Sequence, residues 1–385
     1  MPKHRLTMLP DTFMIIIAGA ERRRLSGFRC GDCRGTTELD GEVKELVSRI
    51  KDIAQSLNVS PATVSLVLNN KPGVGTETRE RILNYVSENG LNINTRKSAQ
   101  GSKSIGFLIY KKHGKVVSDT PFFSQVIEGI ESEARKNGYN LSITYIKAQE
   151  EFELSRYLSQ NQPEGIIILA TEMDSKDIAQ FRQIEVPVVY LDNRFEEEHV
   201  DSIFIGNDRG SCEAVSYMIS MGHHDVGYLQ SAVHISNFDY RQEGYRRALA
   251  QNEIPFSEDN MFQLDSTIEG AYADMCRLLR SGVKLPFALF ADNDIIAVGA
   301  MKAMKEFGIK VPQDISIIGF DDMPYCELAD PSLSTMRVSK KYMGRLSVRR
   351  LTERMEARNR DLGYVKIEVG TQLVERKSVS SPSKT

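Results

Sequence analysis

The chain has 385 residues, 41% hydrophobic and 26% charged, which is room for two or three domains and the composition of a soluble globular protein. No uninterrupted apolar run approaches the roughly 20 residues that a membrane helix needs, so no spanning segment is predicted. The net charge of −3 argues against nucleic acid only if it is spread evenly. It is not, because residues 48–104 carry eight Lys or Arg against four Asp or Glu, while residues 105–385 carry 33 against 41.

Phosphate neutralisation depends on local Lys and Arg rather than on a basic total, so this asymmetry fits a DNA-binding head on an acidic body. Five cysteines are too few and too scattered for a disulfide framework, and they point to a reduced, cytoplasmic setting. Cys30 and Cys33 form a CxxC, but no second pair or His cluster completes the four ligands of a zinc site. No cofactor or metal is expected.

Residues 1–47 show no sustained periodicity. A short apolar run at 14–18 is followed by Arg22, Arg23 and Arg24 and then by Gly- and Cys-containing sequence. The arginines lie on the wrong side for a secretory signal. The stretch reads as disordered or as a mis-assigned leader, with Gly41-Glu42-Val43 encodable as a ribosome-binding sequence and Val47 as a GTG start.

In the next segment, residues 48–92, Ile50, Ile53, Ala54 and Leu57 recur at i, i+3, i+4 and i+7, the pattern of a helix with one buried face. Asn58-Val59 makes a turn. Ser60 as N-cap and Pro61 at the first helical position then start a second helix that turns Val64, Val67 and Leu68 inward. Two short helices across a tight turn project the second into a major groove, which leaves Pro61, Ala62, Thr63, Ser65 and Leu66 exposed; the same geometry also occurs in protein–protein modules. A loop at 70–75 leads to a third helix whose Ile82, Leu83 and Val86 close the core.

The run IKDIAQSLNVSPATVSLVLNNKPGVGTETRERIL closely resembles the head of the lactose/galactose repressor family of bacterial transcription regulators, and the resemblance continues over nearly all of residues 105–378. It implies that Ser60 opens the reading helix and that Pro61, Ala62 and Leu66 occupy base-reading positions. By the same resemblance Thr63 and Ser65 lie against phosphate, and Asn69 caps the helix or contacts backbone. Leu66 departs from the Arg or His of many relatives and offers only apolar contact, for instance to a thymine methyl. The hinge, residues 93–104, departs as well. Where relatives place a minor-groove Leu wedge, this chain reads Arg96-Lys97-Ser98-Ala99, so Arg96 and Lys97 are left as phosphate contacts or as a solvated basic linker.

From residue 105 onward, apolar runs (IGFLIY, LSITYI, GIIILA, VPVVYLD, SIFIG, DVGYLQ, FALFAD, ISIIGFDD) alternate with amphipathic segments. Continuously apolar strands are buried on both faces, which means α/β layers with parallel sheets. The resemblance sharpens this into two lobes linked by three crossovers, like a periplasmic sugar-binding protein. The first lobe is expected at about 105–205 plus 334–358 and the second at about 206–333 plus 359–385.

Open parallel sheets bind ligands beyond their strand C-terminal ends. Several residues there are polar, and Asp, Asn and Arg match the donors and acceptors of a sugar while Phe covers its apolar face. By the family resemblance the effector contacts fall on Phe123, Asp192, Arg241, Asn293 and Asp321, with Phe122 and Arg194 beside them. Each has a plainer role available, an N-cap for a polar residue at a strand end or core packing for Phe122. Together they predict a homodimeric repressor that binds operator DNA, responds to a sugar or related polyol, and is not an enzyme. The alternatives are a sugar carrier or an α/β sugar-modifying enzyme. The first leaves the helix-turn-helix without purpose, and the second lacks any GxGxxG after a strand, P-loop, GxSxG or HExxH.

Overall fold

The computed structural model describes residues 52–57, 59–68, 74–88, 103–117, 121–150, 152–357 and 362–382. The chain divides into two compact units between Gln100 and Gly101. The expectations for residues 1–47, Cys30 and Cys33, Asn69, Arg96 and Lys97 concern positions outside the described residues.

Among the described residues of the first unit are the helices α1 at 52–57, α2 at Pro61–Leu68 and α3 at Thr76–Glu88. Ile53, Ala54, Val64, Val67 and Ile82 are buried together, with Leu57, Val59 and Val86 packed against them. This is the inward face that the periodicity predicts.

The second unit contains two six-stranded sheets. In chain order its first half runs β1 (Ser104–Lys111), α4 (Pro121–Lys136), β2 (Asn140–Lys147), α5 (Leu154–Asn161), β3 (Gly165–Leu169), β4 (Val188–Leu191) and β5 (Asp201–Ile205). Then come α6 (Asn207–Ser220), β6 (Val226–Ser231), α7 (Ser236–Gln251), β7 (Met261–Leu264), α8 (Ile268–Arg280), β8 (Ala288–Ala291), α9 (Asp294–Glu306), β9 (Ser316–Asp321), α10 (Tyr325–Leu328) and β10 (Ser334–Val338). The last elements are α11 (Lys340–Glu356), β11 (Lys366–Val369) and β12 (Thr371–Val374). The first sheet has the order β11-β5-β4-β3-β1-β2 and the second β12-β10-β9-β8-β6-β7, every pairing being parallel except β10 with β12. All residues of β3, β5 and β8 are buried, as strands covered by helices on both faces should be.

The chain crosses between lobes at Gly206, Ser339 and Gly370. Two of these crossings correct the expected lobe boundaries. β10 stays in the second lobe, pairing Ser334 with Ile318 of β9, and the crossing comes only after that strand is complete. β11 belongs to the first lobe, pairing Lys366 with Ser202 of β5. The returning helix α11 lies on α4 at a crossing so close that a Cβ at Gly344 would stand 2.3 Å from the Val126 carbonyl oxygen, and one at Gly129 would stand 2.2 Å from that of Lys341. Only residues without a side chain fit there.

Candidate functional site

The described residues bring two sets of candidate residues into view. In the first unit the Ser60 hydroxyl accepts the Thr63 backbone N–H at 3.0 Å and meets the Thr63 hydroxyl at 2.8 Å, capping α2 at its start. This satisfies one of the orphan donors of the first turn and fixes the end of the helix that reads bases in such modules. Ser60, Pro61 and Leu66 are exposed and Thr63 is half-buried. Leu66 is 37% exposed, on a side of the helix turned away from buried Val64 and Val67. Ala62 and Ser65 belong to the same helix.

In the second unit a cavity lies between the lobes, where strands of both sheets end. Phe122, Phe123 and Asp192 line it from the first lobe, and Arg241, Asn293 and Asp321 from the second. The backbone is bent to present these groups, since Asp192 and Asp321 have φ of 67° and 113°, a region that non-glycine residues seldom adopt and that clusters at ligand sites.

Arg241, 3% exposed, organises the second-lobe wall. Its Nε donates to Asn207 Oδ1 at 2.8 Å, one terminal nitrogen donates to the Asp292 carbonyl, and the other pairs with Asp321 Oδ1 at 3.2 Å. The guanidinium lies 3.8 Å from the Phe320 ring centroid. Asp192 accepts the Thr171 hydroxyl at 2.6 Å and the Asn237 amide at 3.2 Å. The Asn237 amide oxygen in turn accepts from Asn207 at 3.1 Å. One polar chain thus runs from Thr171 in the first lobe through Asp192, Asn237 and Asn207 to Arg241, crossing the cleft.

Burial pushes the Asp192 carboxyl up to about 6, against the pull of Thr171 and Arg241. It raises Asp321 too, opposed by Arg241 and Lys340. Asp292 and Asp294 are pushed up to about 7, again mainly by burial. These two are internal braces. Asp292 accepts the Tyr228 hydroxyl and the Ser231 N–H, while Asp294 accepts the Met323 N–H at 2.9 Å and the Thr335 hydroxyl at 2.6 Å.

Asn293 does both jobs open to a polar residue at a strand end. Its Oδ1 caps α9 by accepting the Ile296 N–H at 3.0 Å, and the residue still lines the cavity. Arg194 departs from the expected set. It is not in the cavity wall but is held 5.3 Å from the Tyr240 ring and 5.6 Å from the Phe204 ring, paired with Glu196 at 3.0 Å. Two nearby aromatic faces, one from each lobe, and the Glu196 carboxylate account for its placement.

Four participants are not marked by the sequence as site residues: Thr171, Asn237, Tyr325 and Glu172. Both carboxylate oxygens of Glu172 are filled by backbone. Oε2 accepts the N–H groups of Lys112, His113 and Gly114 at 2.8, 3.0 and 2.8 Å, and Oε1 those of Val116 and Val117 at 2.9 and 2.8 Å. These bonds outweigh burial and hold its carboxyl below the usual range. They also fix the loop that carries Val116 into the cavity wall. The one sequence signal was Thr171-Glu172 directly after a buried strand.

The His223 ring donates to the Ser380 carbonyl at 2.8 Å, and its backbone N–H to the Met218 carbonyl of α6 at 3.2 Å. Among the described residues no cluster of His, Cys, Asp or Glu is arranged to hold a metal ion, and no helix is long and apolar enough to cross a membrane.

A helix-turn-helix unit joined to a two-lobed α/β unit with a polar cleft defines a ligand-responsive, DNA-binding transcription regulator. Residues 49–91 match the family described as bacterial regulatory proteins, lacI family, and residues 215–379 match the periplasmic binding protein-like domain. The chain is 32% identical to the probable HTH-type transcriptional repressor ExuR of Bacillus subtilis (strain 168) over 75% of its own length and 86% of that relative. It is 30% identical to the ribose operon repressor of Haemophilus influenzae over 84% of its own length and 96% of that relative. The chain therefore belongs to the lacI family of bacterial regulatory proteins. Its fold is shared with the transcriptional regulator CelR–cellobiose complex (TM-score 0.64, 23% identity, 86% and 99% of the two chains) and with the lac repressor dimer bound to operator and the anti-inducer ONPF (TM-score 0.64, 24% identity, 86% and 98%).

Proposed function

We propose that this protein is a cytoplasmic, homodimeric repressor whose operator affinity is set by a sugar or related polyol bound between its two lobes. The observation that carries the reading is the convergence of Phe122, Phe123, Asp192, Arg241, Asn293 and Asp321, from both lobes, on one cavity. Paired carboxylates, an amide and a guanidinium offer the mixed donors and acceptors that hydroxyls need, and the two Phe rings, edge-to-face at 5.0 Å, suit the C–H face of a sugar. In this reading residues 48–92 form the DNA-binding domain, 93–104 the hinge and 105–385 the effector and dimerisation domain. Pro61, Ala62 and Leu66 meet base edges, while Ser60, Thr63, Ser65, Asn69, Arg96 and Lys97 meet phosphate or backbone.

The cavity measures about 50 Å³, far below the roughly 300–1,000 Å³ of small-molecule pockets. Ligand entry therefore requires the lobes to part at the crossings at Gly206, Ser339 and Gly370. A ligand that favours one lobe arrangement over another shifts the population of arrangements, and with it the DNA affinity, by its differential affinity alone. The experiment is a thermal-shift screen of the full chain against pentoses, hexoses and disaccharides. A saturable rise in melting temperature with one of them supports the reading, because a ligand that binds the folded state stabilises it. No shift with any member of the panel contradicts it.

A further inference from the structure

Among the described residues, five buried side-chain polar atoms have no hydrogen-bond partner, and only one, the Tyr325 hydroxyl, belongs to a residue of the cavity wall. The polar side chains of its neighbours in that wall are engaged. Thr171 and Asn237 bond Asp192, Arg241 pairs with Asp321, and Asn293 caps a helix. Buried hydroxyls in folded proteins are nearly always satisfied, and one left without a partner destabilises the fold that holds it.

The turn carrying Tyr325 is not loose. Asp294 holds the Met323 N–H two residues earlier, and the Ala329 N–H closes back on the Tyr325 carbonyl at 3.0 Å. The orphaned hydroxyl is therefore kept in place by its surroundings. Burial, with the Asp294 and Asp321 carboxylates nearby, pushes the phenol far above its ordinary value, so it keeps its proton and can donate.

We propose that Tyr325 is a specificity-determining effector contact, its hydroxyl donating to one oxygen of the bound polyol. The inference rests on the sugar reading above and adds to it a residue that selects among sugars. A site that buries a hydrogen-bonding group discriminates strongly against analogues lacking the matching atom, because the group is then left unpaired.

The test is Tyr325→Phe in the full chain. Calorimetric titration with D-ribose, D-glucose, D-galactose and cellobiose is run beside melting of the ligand-free protein. For any sugar that binds the wild type, the variant is expected to bind about tenfold more weakly, a loss of about 1.4 kcal/mol. A monodeoxy analogue lacking the facing oxygen should bind both proteins equally. The ligand-free variant should melt at the same temperature as the wild type or higher, since it no longer carries the unpaired hydroxyl; a residue with a merely structural role would melt lower. Sugar affinities within twofold of the wild type, or a lowered melting temperature, overturn the assignment. If none of the four sugars binds the wild type, the sugar reading fails instead, and the melting comparison alone decides whether Tyr325 holds an unpaired donor.

Discussion

Replacing Glu172 with Gln changes one oxygen to an amide nitrogen, yet it should cost more than most surface mutations in this chain. The carboxylate, with its side chain 0% exposed, accepts five backbone N–H groups, three on Oε2 and two on Oε1. Whichever way the new amide turns, its NH₂ faces at least two N–H donors that then have no acceptor. At about 1–3 kcal/mol for each buried group left unsatisfied, the loss is about 2–6 kcal/mol, a large share of the roughly 5–15 kcal/mol that holds a typical domain. The damage should concentrate in residues 112–117 and reach the cavity through Val116. Hydrogen exchange read by mass spectrometry should show lost protection in that loop, together with a lowered melting temperature and weaker effector binding. Glu150→Gln, which breaks only the exposed 2.6 Å pair with Lys147, should cost about 0–1 kcal/mol. If the Glu172 variant loses less than about 1 kcal/mol and the loop stays protected, the role assigned to Glu172 is wrong.

Three further outcomes follow from the structure. Asp192 is raised to about 6, and Asp292 and Asp294 to about 7, above an ordinary value of 3.8. The folded state thus binds more protons than the unfolded one across this range, and stability should fall as pH rises through about 6 to 7. Melting temperature should accordingly increase from about pH 8 to about pH 6.5, and a flat or opposite profile would count against the burial of these groups. Gly344→Ala places a Cβ 2.3 Å from a backbone oxygen of α4; the helix pair must spread, and denaturant melts should show a loss of about 1–3 kcal/mol or more. Leu66→Arg supplies the bidentate donor that Leu lacks, so binding selection on random DNA should move one operator position toward guanine by about 1–3 kcal/mol.

Much of this architecture was legible in the chain because its signals are local. Runs such as GIIIL and the IFI of β5 are apolar throughout, since helices cover both of their faces, and Ile53, Ala54 and Leu57 are spaced for one helical face. The elements that escaped notice, β7, β10, β11 and β12, are short and mixed in polarity: MFQL, STMRV, KIEV and TQLV. Edge positions account for β7, β11 and β12. The lobe assignment of β10 and β11 went astray because pairing partners are not a local property; Lys366 meets Ser202 across more than 160 residues of chain.

The cleft residues at strand ends were legible for the same reason that the strands were, since a polar residue closing an apolar run stands out. Glu172 and Tyr325 did not stand out, because their roles arise only when a loop 55–60 residues away, or a wall built from two lobes, closes around them. Arg194 misled for the complementary reason. Its position after β4 suits the cleft, but the Phe204 and Tyr240 rings compete for the guanidinium.

The most direct test of the account is fluorescence anisotropy of the full chain on DNA from upstream of its own gene, at about 0.15 M salt, with and without the sugar that raises its melting temperature. The wild type should prefer this DNA over a shuffled sequence and change its affinity at least about fivefold when the sugar is added. Arg241→Lys keeps the charge but cannot reach Asn207, Asp292 and Asp321 together, so it should bind the same DNA within twofold and no longer respond. No preference over shuffled DNA, or an undiminished response in the Arg241 variant, would contradict the account.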